Sequence, residues 1–182
     1  MAIETETLTA TEIPTGAWTV DPVHSVASFA VRHMMVGTFR GEFSELDASL
    51  IDGTLVGKVR VGSLKLKNEG LQGHVLAPDF FDAERFPEIT FESSSLSVAN
   101  GVLTAEGTLT VKGTALPVTA TGSVAGPVVA LGDIEKIGID LETKISLSDV
   151  GLGWNAPLPK GGVVLGSTAT ITVSLELART ED

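Results

Sequence analysis

LQGHVLAPDFFDAERFPEITF, residues 71–91, is the one long stretch of this chain that is heavily apolar yet shows no strand alternation. Phe80, Phe81 and Phe86 are three of only seven phenylalanines, and Pro78 and Pro87 deny the segment a long helix. Two short helical turns fit it, around residues 69–76 and 79–85, with Asp79 and Asp82 as caps. Each ring is worth roughly 2–3 kcal/mol once removed from water, so the segment must lie across an apolar surface.

The flanking sequence supplies that surface as strands. Trp18 to Val20 and His24 to His33 form a first strand region broken at Asp21-Pro22, with Ala27, Phe29 and Val31 on one face. A second runs from Phe39 through Leu50, with a phase change between Phe43 and Leu46 that predicts a bulge. Asp52-Gly53 signals a hairpin, and a third strand covers about Val56 to Leu66. Beyond Pro87, Ile89 and Phe91 open a fourth and Asn100-Gly101 signals another hairpin. Alternation then continues over Leu103–Val111, Val118–Thr121, Ile137–Ile145 and Ile171–Leu177, giving eight strands. The Gly- and Pro-rich stretch Leu147 to Gly162 reads as a long rim loop.

Length and composition bound the rest. The 182 residues suit one domain: a polar, flexible tail over 1–16, a single domain over 17–179, and a short tail at 180–182. A net charge of -11 argues against nucleic acid and against an anionic membrane surface. No run of about 18 apolar residues is present to span a bilayer. The first residues, MAIETETLTATEIPTG, contain neither a basic group nor a long apolar run, which predicts no secretory leader and a cytoplasmic protein. There is no cysteine, hence no disulfide or thiolate chemistry.

Strands with one apolar face bury it by pairing two sheets or by closing into a barrel, and the polar outer faces favour the barrel. Small residues, Ala27, Ala105, Gly107 and Ala120, sit among the larger inward ones. A dry void of a few hundred cubic ångströms would cost on the order of 5–10 kcal/mol, comparable to the stability of a domain. The interior is therefore either packed shut or occupied by something apolar.

WTVDPVHSVASFAVRHM, HVLAPDFFDAERFPEITF, GTLTVKGTALPV, SDVGLGWNAPLPKGG and ITVSLEL resemble, in order and spacing over residues 17–177, the YceI-like family of lipid-binding, lipocalin-like proteins. The resemblance implies an all-β, eight-stranded antiparallel barrel with one or two short helical segments between strands 3 and 4. It also implies a non-catalytic protein whose cavity holds a long polyisoprenoid or isoprenoid quinone, with no other cofactor. On that reading the ligand contacts are Phe29, Val31, His33, Phe43, Phe80, Phe81, Leu109, Ile139, Leu141, Trp154 and Ile171. Phe80, Phe81 and Trp154 could seal one end as fixed core or act as a movable lid. The sequence departs from the family's pattern at Leu147 and Val150, which stand where Arg and Phe are usual, at Ser167, and at Leu71-Gln72 in place of Arg-Asp. These changes make the pocket end less polar. Many relatives are exported.

Other chemistry has weaker support. His24, His33 and His74 are a conceivable metal set, but His24 and His33 lie nine apart and would face opposite sides of one uninterrupted strand. His24-Ser25 is no nucleophile pair for the same reason, and the glycine pairs lack phosphate-loop spacing. Alternatives to the carrier are a lipid-modifying or metal-assisted enzyme, and a closed barrel acting as a stress or interaction protein. Exposed sheet edges leave a homodimer open.

Overall fold

The structure, a computed structural model, describes residues 8–180. Its strands are β1 (Ala17–Val20), β2 (Val26–His33), β3 (Gly37–Phe43), β4 (Leu46–Ile51), β5 (Thr54–Arg60), β6 (Leu64–Lys65), β7 (Glu88–Ala99), β8 (Val102–Val111), β9 (Thr114–Val129), β10 (Glu135–Ser146) and β11 (Leu165–Arg179). One helix, α1 (Glu69–Leu76), lies between β6 and β7. Pairing runs β1-β4-β5-β7-β8-β9-β10-β11, and β11 returns to β1, so the sheet closes as an eight-stranded antiparallel barrel. β2 and β3 prolong β1 and β4 toward the end that carries α1, with β2 on β11 and β3 on β2. No helix among the described residues is long and apolar enough to cross a membrane.

Breaks in the long strands are spliced by serines. Between β1 and β2, the Ser25 hydroxyl accepts from the Glu176 N–H (2.9 Å) and donates to the Glu176 carbonyl (3.3 Å). This replaces a backbone partner where the chain bulges away from β11 at Asp21-Pro22. Ser63 does the same at the second break. Its hydroxyl donates to the Arg60 carbonyl (2.6 Å) and accepts from Glu45 N–H (3.0 Å), and its own carbonyl accepts from Ser44 N–H (3.2 Å). The third strand, expected to run unbroken from Val56 to Leu66, is therefore bent through a 3-10 turn at Val61–Ser63, and β6 switches partner to β3.

Hairpins fall at Asp52-Gly53 and Asn100-Gly101, with both residues of each at positive φ as such turns require. The Met34-Met35 turn adopts the same left-handed pair without either favoured residue. At the amino end, the stretch expected to be a free tail is docked from Leu8 onward. Gly126 N–H donates to the Leu8 carbonyl (2.7 Å), Ala10 N–H donates to the Val124 carbonyl (2.8 Å), and Ala10 and Ile13 pack on the core. Residues 1–7 and 181–182 of the expected tails lie outside the described residues.

The capping of 66–87 also differs from expectation. Asn68 caps α1 by accepting from Leu71 N–H (2.9 Å), and residues 77–86 form successive turns in place of a second helix. Asp82 is buried at φ 50°; its N–H donates to the Ala77 carbonyl (3.0 Å) and its carboxylate pairs with Arg85 (3.3 Å). Asp79 is exposed. A left-handed residue in mid-segment ends any helical run, so Asp82 shapes the turn from inside and caps nothing.

The core divides into two clusters stacked along the barrel. One, at the end away from α1, contains Trp18, Leu50, Leu103, Ala105, Val124, Ile137, Ile139 and Leu177, each at most 2% exposed. The other surrounds Phe43, Val61, Leu64, Phe81, Leu109, Val150 and Leu152. Leu46, Phe91 and Val173 pack against both.

Candidate functional site

Glycine placement decides where aromatic rings sit. Gly41 faces Phe29 across the β2–β3 ladder, and a Cβ there would come within 2.5 Å of the Phe29 ring. Phe29 can thus lie across the strand pair, as aromatic residues do opposite sheet glycines. From that position it meets Phe39, Phe43 and Phe81 at centroid distances of 5.8, 5.9 and 5.9 Å. Phe81 reaches them from the turns that follow α1, meeting Phe29 and Phe43 edge-on. Gly107 works likewise for Phe91: a Cβ would come 2.3 Å from the Glu92 carbonyl and 2.8 Å from the Phe91 ring.

These rings form part of the wall of a chamber of about 190 Å³ in the α1 half of the barrel. Its roof is Val75 of α1, Phe80, Phe81, and the apolar residues Leu147 and Leu152 of the loop before β11. Its sides carry Ala27, Val31, Phe39, Val59, Leu109, Val111, Ile145, Ala169 and Ile171. Its floor is Ala48, Leu55, Ala120, Leu141 and Leu175, which also belong to the packed cluster below. Four lining residues carry polar side-chain groups, Ser28, Lys58, Thr90 and Thr143.

Of the residues singled out in the sequence, Phe29, Val31, Phe43, Phe80, Phe81, Leu109, Leu141 and Ile171 line this chamber. His33, Ile139 and Trp154 do not. Ile139 keeps the inward phase of its strand but falls one layer below the floor, where the barrel is packed solid. His33 ends β2, paired with Gly37 and Leu165. Trp154 is partly exposed and stacks outside, on Phe80 (5.1 Å) and edge-on to His74 (5.6 Å), with His74 on Phe80 at 5.0 Å. Adjacent Phe80 and Phe81 therefore diverge: Phe81 goes into the wall, while Phe80 joins roof to outer aromatic cluster.

Leu147, Leu152, Phe39 and Phe91 were missed in the sequence. Leu147, Val150 and Leu152 are the apolar members of a loop read from the sequence as part of a rim. A 3-10 turn over Leu147–Val150, closed by Gly151 at φ 72°, folds them inward, and Val150 is fully buried. Three apolar residues beside a helix-stopping glycine were the available signal. Leu147 and Leu152 thus reach the chamber, while Val150 packs in the core beside it.

The histidines do not converge. Among the described residues one group has metal-ligating geometry, Asp21, His24 and Glu176 on the outside of the barrel. Lys136 already occupies it, its ammonium 3.1 Å from Asp21 and 2.5 Å from Glu176, while the His24 ring lies 2.9 Å from Asp21. Hydrogen bonds from His24 and then Lys136 hold the Asp21 carboxyl far below the usual carboxylate range, and the bonds to Glu176 and Asp21 raise Lys136. The cluster clamps the β1–β2 break to β10 and β11.

Comparison with known proteins agrees with this architecture. The profile of the YceI-like domain matches residues 18–177. UPF0312 proteins of Staphylococcus aureus strains N315 and Mu50 are each 28% identical over 176 residues, covering 90% of this chain and 98% of theirs. Burkholderia cenocepacia BcnA superposes with a TM-score of 0.72 at 23% identity, covering 88% of this chain and 99% of that one. A polyisoprenoid binding domain from Saccharophagus degradans, implicated in plant cell wall breakdown, gives 0.69 at 14% identity, covering 90% and 98%. At these identities the likeness to solved structures concerns the fold.

Proposed function

This chain belongs to the YceI-like domain family, and from that premise we propose that it is a non-catalytic carrier or sequestering protein for an isoprenoid lipid, whose apolar chain enters the chamber. The observation that carries the reading is the chamber itself: hydrocarbon-lined space inside a closed barrel. Left empty, about 190 Å³ of void costs about 4–5 kcal/mol at roughly 24 cal/mol per Å³. That is a large share of what a domain has to spare. An apolar chain restores the missing contacts, whereas water gains little where partners are so few.

The name of the Saccharophagus domain supports the choice of an isoprenoid over other apolar chains. The lining supports holding over reaction. Chemistry on a bound lipid needs an acid, base or nucleophile beside it. Here, apart from the scattered Ser28, Lys58, Thr90 and Thr143, the wall offers phenyl and aliphatic groups, and the Ser25 hydroxyl is committed to the β11 backbone.

The test is gentle purification followed by solvent extraction and mass spectrometry, then reloading of the stripped protein with prenyl alcohols. A stoichiometric isoprenoid, released by solvent and restored by reloading, is the expected result. Failure to find or load any isoprenoid would overturn the proposal.

A further inference from the structure

We propose that the α1 end of the barrel docks on a bilayer surface carrying anionic lipid, with the β2–β3 turn as the inserted tip. Three rows of chain build this corner. Met34 N–H donates to the Val164 carbonyl (2.7 Å), Val164 N–H donates to the Ala156 carbonyl (3.0 Å), and Asn155 holds the Leu165 backbone through both ends of its amide (2.7 and 3.0 Å). The Met35 sulfur lies over Gly162, where any Cβ would collide with it. Met34, Met35, Val36, Val163 and Trp154 are thereby gathered at one corner of the mouth, and all five are exposed, Val36 at 86%. Met34 and Met35 also take left-handed backbone (φ 51° and 63°), whereas the turns at Asp52-Gly53, Asn100-Gly101 and Lys112-Gly113 each use a glycine. Such backbone strains a residue with a long side chain, and strain of this kind collects at functional segments.

Charge selects the partner. Residues 22–41 and 150–175 contain no Asp or Glu, although the chain has 23, and they contribute the exposed Arg32, Arg40 and Lys160. β2 pairs with both β3 and β11, so the two segments form one continuous sector of the wall. The carboxylates of the neighbouring turns, Glu69, Asp79, Asp82, Glu84 and Asp149, are nearly balanced by Lys65, Lys67, Arg85 and Lys112. The net charge of -11 that argues against an anionic surface is an average over the whole chain. Asp52, Asp133 and Glu135 lie at the far end, which the 15 residues of β11 set roughly 35 Å away, about four screening lengths at physiological salt. That end also exposes an apolar turn at Leu131 and Ile134, but Asp133 and Glu135 flank it and the packed base lies beneath.

Among the described residues, the α1 end alone joins exposed hydrocarbon and cations to the chamber. Phe39 of β3 and Leu165, the partner of His33, line the chamber, and Phe80 links its roof to Trp154. A lipid moving between chamber and bilayer at this contact need not cross open water. Apolar side chains enter the interface to a depth of about 5–10 Å, and each cation held near an anionic surface raises affinity roughly fivefold.

Docking of this kind goes beyond the choice of cargo, and plain phospholipid vesicles read it separately. Co-sedimentation of the full chain with phosphatidylcholine vesicles, with and without phosphatidylglycerol, tests it. Binding should be at least about tenfold tighter to the anionic vesicles and should weaken with salt. Trp18 is 1% exposed, so a blue shift of emission on binding reports Trp154, and Trp154→Phe should abolish it. Met35→Glu and Val36→Glu, at exposed positions, should leave Tm unchanged and weaken binding at least about tenfold. Arg40→Gln and Lys160→Gln should each weaken it about fivefold, on anionic vesicles alone. No binding to either vesicle, or binding that both glutamate variants leave intact, overturns the docking. So does a dimer that Val36→Glu splits while vesicles are ignored, which would put a second copy on the patch. An isoprenoid recovered from a chain that ignores vesicles overturns the docking and leaves the carrier reading standing. Vesicle binding by a chain that neither carries nor loads an isoprenoid overturns the carrier reading and supports the docking.

Discussion

At the scale of single residues, the side chains that punctuate the strands do work that the ladder cannot. Ser25 satisfies the N–H of Glu176 across the β1–β2 break and shares the Glu176 carbonyl with the Asp21 N–H (2.7 Å), so Ser25→Ala leaves the Glu176 N–H of a half-buried strand to find water. The expected loss is about 1–2 kcal/mol, read as a lower denaturation midpoint with unchanged m-value. Asp21 acts at the same break through charge. Its carboxyl is depressed in the folded protein, so its contribution is complete above the unfolded pKa of about 4 and disappears as pH falls toward the folded value. Asp21→Asn should therefore be less stable than the native chain at pH 7, with the gap closing below about pH 4. A gap that persists unchanged at pH 2.5 would assign the effect to packing. Lys136 has the opposite sense, its raised pKa contributing below about pH 10 and fading only in strong base.

At the scale of elements, residues 66–87 and the loop before β11 decide whether the barrel has a roof. Phe81 is buried edge-on against Phe29 and Phe43, whereas Phe80 is only partly buried, beside Trp154. Phe81→Ala should cost about 3–4 kcal/mol in the lipid-free protein by enlarging an existing void, and Phe80→Ala distinctly less. Equal losses by denaturant titration would show that both rings belong to one core. Period-two alternation made the strands legible from sequence, because each inward face had to be apolar and each outward face polar. Ala27, Phe29 and Val31 were readable for this reason, and so were the Asp52-Gly53 and Asn100-Gly101 turns. The roof was legible only in outline. A turn-rich segment has no period, so nothing local distinguishes Phe81 inward from Phe80 outward, or places Leu152 in the chamber. The bend at Val61–Ser63 was equally hidden, since Ser63 acts through Arg60 and the distant Ser44-Glu45 backbone. The depth of the chamber was hidden for a different reason. Ile139 and Leu141 share one face of one strand, and only the stacking of neighbouring strands puts one below the floor and the other on it. Small inward residues misled similarly: Ala27 and Ala120 border open space, but Ala105 is fully buried and Gly107 lies under the Phe91 ring.

At the scale of the whole molecule, a barrel packed solid at one end and hollow at the other should respond unevenly to its ligand. The base carries its own contacts whether or not the chamber is filled, so amides of β1 and of the Trp18, Ile137 and Leu177 layer should exchange slowly in both states. The chamber half gains contacts only on loading. Slower exchange on binding should therefore concentrate in α1, residues 77–86 and 147–152, the elements that roof the space without belonging to the closed ladder. Linkage sets the size of the global effect. At free ligand about 100 times the dissociation constant, stability rises by about 2.7 kcal/mol, which for a chain of this length raises Tm by about 5–10 °C. Comparing delipidated and reloaded protein by calorimetry and by hydrogen exchange separates local from global stabilisation. If the chamber is the binding site, Tm and roof protection rise together with ligand concentration. A rise in Tm with protection confined to the base would place the ligand elsewhere on the barrel.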